Sequence, residues 1–522
     1  MTLSVDEVSR FGQKLRCAAV VGLVIVAASM ERTGTQPNKT IDAIWKRRVA
    51  LFLAGYTLLF FWLACRKFAL FTDNSADTSI ITHGIWATLH GQLFPDYTLE
   101  MCYFGDHASY VLLTLLPIYW LVPTVPTLLF LQSLFIAASG IPMFLIARRI
   151  LKSSGAAFCI MAAFLLFPTV VSQHVNTIHD TQFIIVFLLW AFYFYHMERF
   201  GLFVLFAALS CLGKENVPLT VMVFGIYALL QRRHWKWVVT PLVLGAAAMV
   251  AVFQLIMPPL RGGKPYRSFG YFGDLGKNPG EVLETLLTKP GRFFGIVLSA
   301  DRILFLIQLL QPLAIILPFF SLAVIFVAPD LLVNLVVENS SPRVIAWHYN
   351  LTVAAFLFVA AIFSIQKVAG WLESRQGKAP YAVGIGLLLL CLSASQWVLW
   401  LNPNDYRQPP QYEALHEALA TVPANASVLV PQTMLAQVAN RWNFSTIQHW
   451  LFYRRPTDPQ RIFDYQYVIV DRNERPGRWA TVPEEAVKAF AASPNHELIY
   501  NNANVVVFRR KGEDILGGKP TW

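Results

Sequence analysis

Charged residues are scarce in this sequence. Asp, Glu, Lys and Arg make up 14% of its 522 residues, whereas 56% are hydrophobic. A soluble globular domain carries about 25% charged residues, so an ordinary soluble enzyme is excluded for most of the chain. Apolar runs of membrane-spanning length recur over roughly the first four hundred residues, which predicts a polytopic α-helical membrane protein.

Cysteine patterns typical of a disulfide framework or a zinc site are missing as well. The six cysteines form no CxxC pair, and five of them lie in or beside apolar runs, where cysteine usually acts as a small hydrophobic residue. The net charge of +11 comes largely from short Lys/Arg clusters beside apolar runs. That distribution follows the positive-inside rule and does not indicate nucleic acid as a partner.

The positive clusters predict how the chain crosses the membrane. They are Lys46-Arg47-Arg48, Arg148-Arg149 with Lys152, and Arg232-Arg233 with Lys236. With these clusters on the cytoplasmic side, about eleven spans fit into a transmembrane domain over residues 49–401. Two long loops, 71–126 and 258–301, then face away from the cytoplasm.

Two segments flank this transmembrane domain. Residues 1–48 are an N-terminal extension, in which the apolar run 17–28 is short for a span and predicts a signal-like segment, an interfacial helix or an upstream extension. Residues 402–522 are polar and alternate short buried strands with helices, which predicts a small soluble α/β domain on the outer face. This C-terminal domain has neither a Gly-rich phosphate loop nor a nucleophile motif, so no chemistry is assigned to it.

Titratable residues are concentrated in the first outer loop. The segment from Phe71 to His107 contains four Asp, one Glu and three His residues. Two interpretations fit this density. The loop either carries the acidic catalytic residue of a membrane enzyme, or it is a solvated loop whose acids only keep it out of the bilayer.

The run from Asp77 to Gly91, DTSIITHGIWATLHG, resembles the first loop of the bacterial DUF2079 family of predicted membrane proteins, which typically reads D-L-G-I-F-x-Q-x-x-W-N-x-x-x-G. Here Thr78-Ser79 replace Leu-Gly, and His83 replaces Gln. Further matches in the same order are His107 with Pro117-Ile118-Tyr119, Gln132, His179, Lys214-Glu215, and the C-terminal VPANASVLV and YVIVD. The resemblance covers roughly residues 49–510.

The DUF2079 family is similar in layout to GT-C glycosyltransferases, which take a sugar from a polyprenyl-phosphate donor. The resemblance therefore implies a multi-pass sugar transferase of the bacterial inner membrane, with membrane lipids and a polyprenyl-phosphate-linked sugar as its partners. Alignment on Trp86 and Gly91 places the family's acidic residue at Asp77, with Asp73 as the second candidate. Asp106 and His107, at the far end of the loop, are further catalytic candidates, although Asp106 could instead cap the following helix.

A departing lipid phosphate requires cations that stay charged. Lys214 is the first candidate, and Glu215 either joins the substrate site or pairs with Lys214 at a helix end. The other predicted substrate-binding residues are His179, Trp86, Arg261, Lys264 and Arg267. No cofactor or metal ligand is assigned. A divalent metal held by His174, His179, Asp180 and Asp77 is the alternative to hydrogen bonding of these histidines at the membrane interface.

Two other classes of function also fit the sequence. Proline-broken helices over 303–337 would suit a transporter or flippase for a lipid-linked or anionic solute. A non-catalytic membrane assembly protein would instead act through the C-terminal domain.

Overall fold

The computed structural model describes most of the chain beyond residue 38. The described residues are 39–73, 75–264, 266–276, 279–372, 379–396, 401–449, 461–474, 482–516 and 518–519. The short apolar helix predicted over 17–28 lies outside them.

The first half of the chain is almost entirely helical. Its α-helices are α1 Lys39–Ala69, α2 Ser75–Leu89, α3 Leu116–Leu121, α4 Val125–Leu151, α5 Ser154–Leu165, α6 Pro168–Val175, α7 Thr181–His196, α8 Phe200–Ser210, α9 Val217–Leu230, α10 Trp235–Val250 and α11 Met257–Leu260. Helix α1 begins ten residues before the predicted boundary at residue 49, because its polar first turns continue the helix that hydropathy detects only later. The cluster Lys46-Arg47-Arg48 therefore belongs to α1 and does not precede it.

The second half combines helices with a C-terminal sheet. Its helices are α12 Pro279–Thr288, α13 Pro290–Val297, α14 Ala300–Leu310, α15 Ala328–Val336, α16 Leu351–Trp371, α17 Ala379–Ser395, α18 Tyr412–Ala420, α19 Ile447–His449 and α20 Val482–Ala492. The segment 258–301, which the sequence predicts as a loop, is largely helical among its described residues.

Four helices in the described part of the chain are long and apolar enough to cross a membrane. They are Asp42–Ala69, Val125–Leu151, Trp235–Leu260 and His348–Trp371. Two bent pairs raise the number to six if each is one span: α5 with α6, bent by 51°, and α13 with Ala300–Leu313, bent by 58°. The other apolar helices have 10–17 residues, so the predicted total of about eleven spans is not confirmed.

The C-terminal sheet has five strands in the order β4-β3-β5-β7-β6. The strands are β3 Val428–Leu429, β4 Phe444–Ser445, β5 Tyr467–Asp471, β6 His496–Asn502 and β7 Val505–Arg510, and a short pair, β1 Pro95–Asp96 with β2 Met101–Cys102, lies in the first loop. Strand β3 pairs parallel with β4 and β5, whereas β7 pairs antiparallel with β5 and β6. All five residues of β5 are buried, including Asp471 at the end of the apolar run Tyr467–Val470.

Helix α2 follows α1 closely in the chain and packs directly against the C-terminal domain. The Nδ1 atom of His83 lies 3.1 Å from the carbonyl oxygen of Ala439, and the Ser75 hydroxyl donates to the carbonyl of Thr433 at 3.0 Å. Phe71, just before α2, belongs to the same buried apolar cluster as Leu415 of α18. The position of α2 is therefore set partly by residues more than 350 positions later in the chain.

The close approach of α2 to the β1 segment predicts a strong effect of one methyl group. A Cβ at Gly84 would lie 2.3 Å from the ring of Phe94, whose own φ is +37°. Gly84→Ala is expected to destabilise the protein by about 1–3 kcal/mol, because a fully buried ring must move. Thermal unfolding in detergent would measure it. Gly55→Ala in α1 is the control, since a Cβ there has nothing within 4 Å and alanine favours a helix; equal melting temperatures would contradict the prediction.

Candidate functional site

A cavity of about 560 Å³ lies between α2, the loop residues after it, the turns before α7 and α9, and the segments around α15 and α16. Most of its wall is contributed by segments that lie outside the long spans. Its titratable lining residues are Asp77, Asp96, Tyr103, His107, His179, Asp180, Lys214, Glu215, Tyr266, Arg267, Tyr271, Asp330, His348 and Tyr349. The cavity thus combines carboxylates, imidazoles and two permanent cations, Lys214 and Arg267.

Asp77 lies in the first turn of α2, where a carboxylate complements the positive end of the helix dipole. Its Oδ2 is 3.4 Å from Nε2 of His179, and its side chain is 43% exposed, within the cavity. Burial raises the pKa of Asp77, but His179, His107 and Lys214 outweigh that effect and hold it below its usual range. Asp77 is therefore an ionised carboxylate next to an imidazole, which can accept a proton.

An unbroken row of rings connects Asp77 to Lys214. The rings of His179 and His348 stack with centroids 3.5 Å apart, and His348 contacts Tyr349 at 4.0 Å. The Nζ atom of Lys214 lies over the Tyr349 ring, 4.7 Å from its centroid. A carboxylate and an ammonium group thus stand at opposite ends of one wall of the cavity.

Lys214 differs from the other cavity cation in its partners. Among the described residues, no carboxylate oxygen lies within 4 Å of its ammonium group. Burial lowers the pKa of Lys214, but Asp180, Tyr349, Glu215 and Asp330 outweigh it, so that the pKa is raised and the group stays charged. An unpaired ammonium group in a cavity can bind an added anion without first breaking an ion pair.

Glu215 is held by residues other than its neighbour Lys214. Its Oε1 accepts a hydrogen bond from the Tyr266 hydroxyl at 2.8 Å and lies 3.6 Å from Nδ1 of His107, while the backbone N–H of Ala108 donates to Oε2. Burial raises the pKa of Glu215, but His107 and Lys214 lower it overall to about 2. Glu215 acts here as a fixed anion that connects the loop of His107 and Ala108 with the segment of Tyr266.

Asp106 and Arg267 form a second link between these loops. Arg267 donates to Oδ2 of Asp106 at 2.7 Å, and His107 lies 3.5 Å from the same oxygen. Asp106 is 2% exposed and does not line the cavity. It occupies the residue after a 3₁₀ turn, so the alternative role of capping a following helix is not what the structure shows.

The structure brings most of the predicted site residues together. Asp77, His107, His179, Lys214, Glu215 and Arg267 all line the one cavity. Five other candidates do not line it: Asp73, Asp106, Trp86, Arg261 and Lys264.

Each of the remaining candidates has a different environment. Trp86 stacks on His90 and meets Trp442 of the C-terminal domain. Asp73 is buried near Tyr406, and Lys264 donates to the carbonyl of Leu99. Arg261 lies over the ring of Tyr266.

Of the four residues considered for a divalent metal, Asp77, His179 and Asp180 line the cavity, whereas His174 does not. His174 lies in a separate buried cluster, where it contacts the Tyr56 hydroxyl and stacks on Phe60. Asp180 accepts hydrogen bonds from Ser109 and from the N–H of Thr181. Within the described part of the chain, no group of three or more His, Cys, Asp or Glu side chains has an arrangement suited to a metal ion.

Sequence reasoning missed Asp96, Asp330, His348 and Tyr349 as cavity residues. His348 and Tyr349 stand directly before the apolar run of α16, and Lys214 stands just before α9. Polar residues at the ends of apolar runs were the available signal. Asp330, which accepts a hydrogen bond from Asn216, lies inside an apolar stretch where an acid is costly unless it has a partner.

The fold and the cavity define a multi-pass membrane protein with a polar chamber beside its spans. A solved structure of the same architecture is ArnT from Cupriavidus metallidurans bound to undecaprenyl phosphate, with a TM-score of 0.53 and 12% identity over 88% of this chain and 97% of that one. ArnT in the apo state gives a TM-score of 0.48 and 13% identity over 87% and 98% of the two chains. The first comparison shows that the chain has a fold similar to that of ArnT.

The family is identified from the sequence itself. The model of the DUF2079 family, described as predicted membrane proteins, matches residues 67–499. The chain therefore belongs to the DUF2079 family. A search of curated protein sequences gives no significant match.

The contacts of His107 predict a pH-dependent stability. Burial lowers its pKa, but Glu215 and Asp106 outweigh burial and raise it above 6.5. The stabilisation from protonated His107 is therefore fully present below about pH 6.5 and is lost as the pH rises through the raised value. The decrease in melting temperature that His107→Gln causes relative to the wild type should be largest near pH 6 and become smaller at higher pH.

His90→Gln is the matched control for this measurement. His90 is exposed and contacts Trp86 and Trp442, and no described carboxylate lies within ion-pair distance of it. The effect of His90→Gln on the melting temperature should not show the pH dependence expected for His107→Gln. A His107→Gln effect that stays constant from pH 6 to 9 would contradict the role of Glu215 and Asp106.

Proposed function

We propose that this protein is a GT-C-type membrane glycosyltransferase that transfers a sugar from a polyprenyl-phosphate donor to a hydroxyl acceptor. The observation that carries the proposal is the placement of ionised Asp77 and unpaired Lys214 on one cavity wall, joined by His179, His348 and Tyr349. The similarity of the fold to ArnT, whose structure contains undecaprenyl phosphate, supports a lipid phosphate as the ligand.

The two ends of the wall have complementary tasks. Asp77 accepts the proton of the acceptor hydroxyl as its oxygen attacks the anomeric carbon of the sugar. The bond between that carbon and the phosphate oxygen breaks, and its electron pair stays on the lipid phosphate. Lys214 stabilises the added negative charge, and His179 receives the proton from Asp77.

We further propose that the cavity opens on the outer face of a bacterial inner membrane and that the C-terminal domain lies on the same side. The positive clusters at the ends of α4 and α9 are the sequence basis for this orientation. The packing of the C-terminal domain on α2, the helix that carries Asp77, supports a shared side.

Asp77→Asn tests the proposed base. The amide preserves the size of the side chain but cannot take up a proton, so kcat should fall by about 10²–10⁴-fold with little change in donor binding. Transfer of radiolabelled sugar from undecaprenyl-phosphate sugars by protein in nanodiscs is the measurement.

Asp73→Asn is the matched comparison, since Asp73 precedes the same helix but lies outside the cavity. It should retain turnover per folded molecule. Full activity of Asp77→Asn would remove this carboxylate from the mechanism. Loss of activity in Asp73→Asn, with activity retained in Asp77→Asn, would identify Asp73 as the base.

Lys214→Met tests the phosphate site independently of turnover. Methionine retains the length and the contact with Tyr349 but removes the charge, so the Kd for undecaprenyl phosphate should rise at least about ten-fold. Native mass spectrometry with added lipid would measure it. Lys264→Met is the control because Lys264 is exposed and outside the cavity; equal binding by all three proteins would refute a phosphate site at Lys214.

A further inference from the structure

Asp96 is a second carboxylate of the cavity, opposite in character to Asp77. It ends the short strand β1 and is 3% exposed. Burial outweighs its hydrogen bonds and raises its pKa, whereas contacts within the cavity lower the pKa of Asp77. Two carboxyl groups of one cavity whose pKa values are shifted in opposite directions are suited to different tasks.

The two oxygens of Asp96 have unequal environments. Oδ1 accepts three hydrogen bonds: from the N–H of Thr98 at 2.7 Å, from the Thr98 hydroxyl at 2.6 Å, and from the N–H of Leu99 at 3.3 Å. These bonds close a turn of the Asx type and account for a structural role of Oδ1. They do not involve Oδ2.

No described residue donates a hydrogen bond to Oδ2 of Asp96. This oxygen is also not one of the fully enclosed polar atoms without a partner, so it retains access to the cavity that Asp96 lines. A carboxylate oxygen that faces a cavity and has no donor from the protein is free to accept a hydrogen bond from a ligand. A hydroxyl or amino group of a ligand in the cavity is a donor of this kind.

The position of Asp96 indicates which part of a substrate reaches it. Asp96 lines the same cavity as His107 and Lys214, and His107 lies 3.6 Å from Glu215, the chain neighbour of Lys214. A sugar that is bonded directly to a phosphate at Lys214 lies in this cavity. In the proposed geometry, Asp96 therefore meets the sugar of the donor, while Asp77 meets the acceptor hydroxyl.

We propose that Oδ2 of Asp96 binds a hydroxyl or amino group of the donor sugar and so distinguishes the glycosylated lipid from the bare lipid phosphate. This inference rests on the proposed function, because it requires the lipid phosphate at Lys214. It assigns to the β1 turn a role in specificity that is separate from proton transfer at Asp77.

The test compares the Kd of undecaprenyl phosphate with those of undecaprenyl phosphates that carry a neutral hexose, an N-acetylhexosamine or an amino pentose. In the wild type, at least one glycosylated lipid should bind more tightly than the bare lipid. In Asp96→Asn, the amide keeps the Oδ1 acceptor but turns Oδ2 into a donor. The binding margin is the ratio of the Kd of the bare lipid to the Kd of the glycosylated lipid. This margin should shrink about ten-fold or more in Asp96→Asn, while the Kd of the bare lipid stays unchanged.

Asp180→Asn is the matched control. Asp180 lines the same cavity, but both its oxygens accept hydrogen bonds from the protein, from Thr181 and Ser109. Its replacement should change the binding of bare and glycosylated lipids in parallel. Should Asp96→Asn melt below the assay temperature, Asp96→Ser repeats the test, since its single hydroxyl can close the turn and leaves no second oxygen.

Each outcome decides between the two proposals. An undiminished margin in Asp96→Asn, or no glycosylated lipid that binds the wild type better than the bare lipid, overturns the role of Asp96 and leaves the phosphate site intact. Failure of every lipid to bind the wild type overturns the proposed function and the role of Asp96 with it. A margin lost in Asp96→Asn and kept in Asp180→Asn supports both.

Discussion

The charge of Lys214, held in a cavity beside apolar helices, is the constraint on which the rest of the site depends. A buried ammonium group is costly unless the surrounding groups favour its charged form. Asp180, Glu215 and Asp330 do so from three different elements, without closing on the ammonium group as direct ion pairs. The negative potential of these three carboxylates therefore keeps Lys214 charged. Because none of them forms a direct ion pair with the ammonium group, Lys214 can still bind another anion.

The same residues tie the loops to the membrane helices. Glu215 contacts His107 and Ala108 of the first loop and Tyr266 of the second. Asp106 and Arg267 repeat that link at the edge of the cavity. The same charged residues thus influence the pKa values of the site and connect the segments that form its walls. A change in either loop would therefore alter the environment of Lys214.

The sequence predicted which residues belong to the site better than it predicted how they are arranged. Asp77, His179 and Lys214 were predicted by their match to a family pattern, and they line one cavity. Trp86, in the same motif, faces Trp442 instead, because α2 is a helix and residues nine positions apart do not share a face. A reading of the segment as a loop had no means of separating them.

The contacts that position the site are long-range, which explains what pattern reasoning missed. Hydropathy located the apolar runs, but it gave no sign that α5 and α6 bend by 51° relative to each other. The buried apolar run of strand β5, by contrast, is local information that a sequence displays directly. The pairing of His83 with Ala439 has no local signature at all.

The packing of α2 between the cavity and the C-terminal domain gives that domain a physical role without chemistry of its own. Helix α2 presents Asp77 to the cavity, while His83 and Ser75 contact the C-terminal domain. The Tyr119 hydroxyl donates to Asn440, which adds a third contact, from α3. In the proposed mechanism, the Asp77 carboxylate must meet a hydroxyl within hydrogen-bond distance, which requires a fixed backbone. The contacts between α2 and the C-terminal domain restrain that backbone.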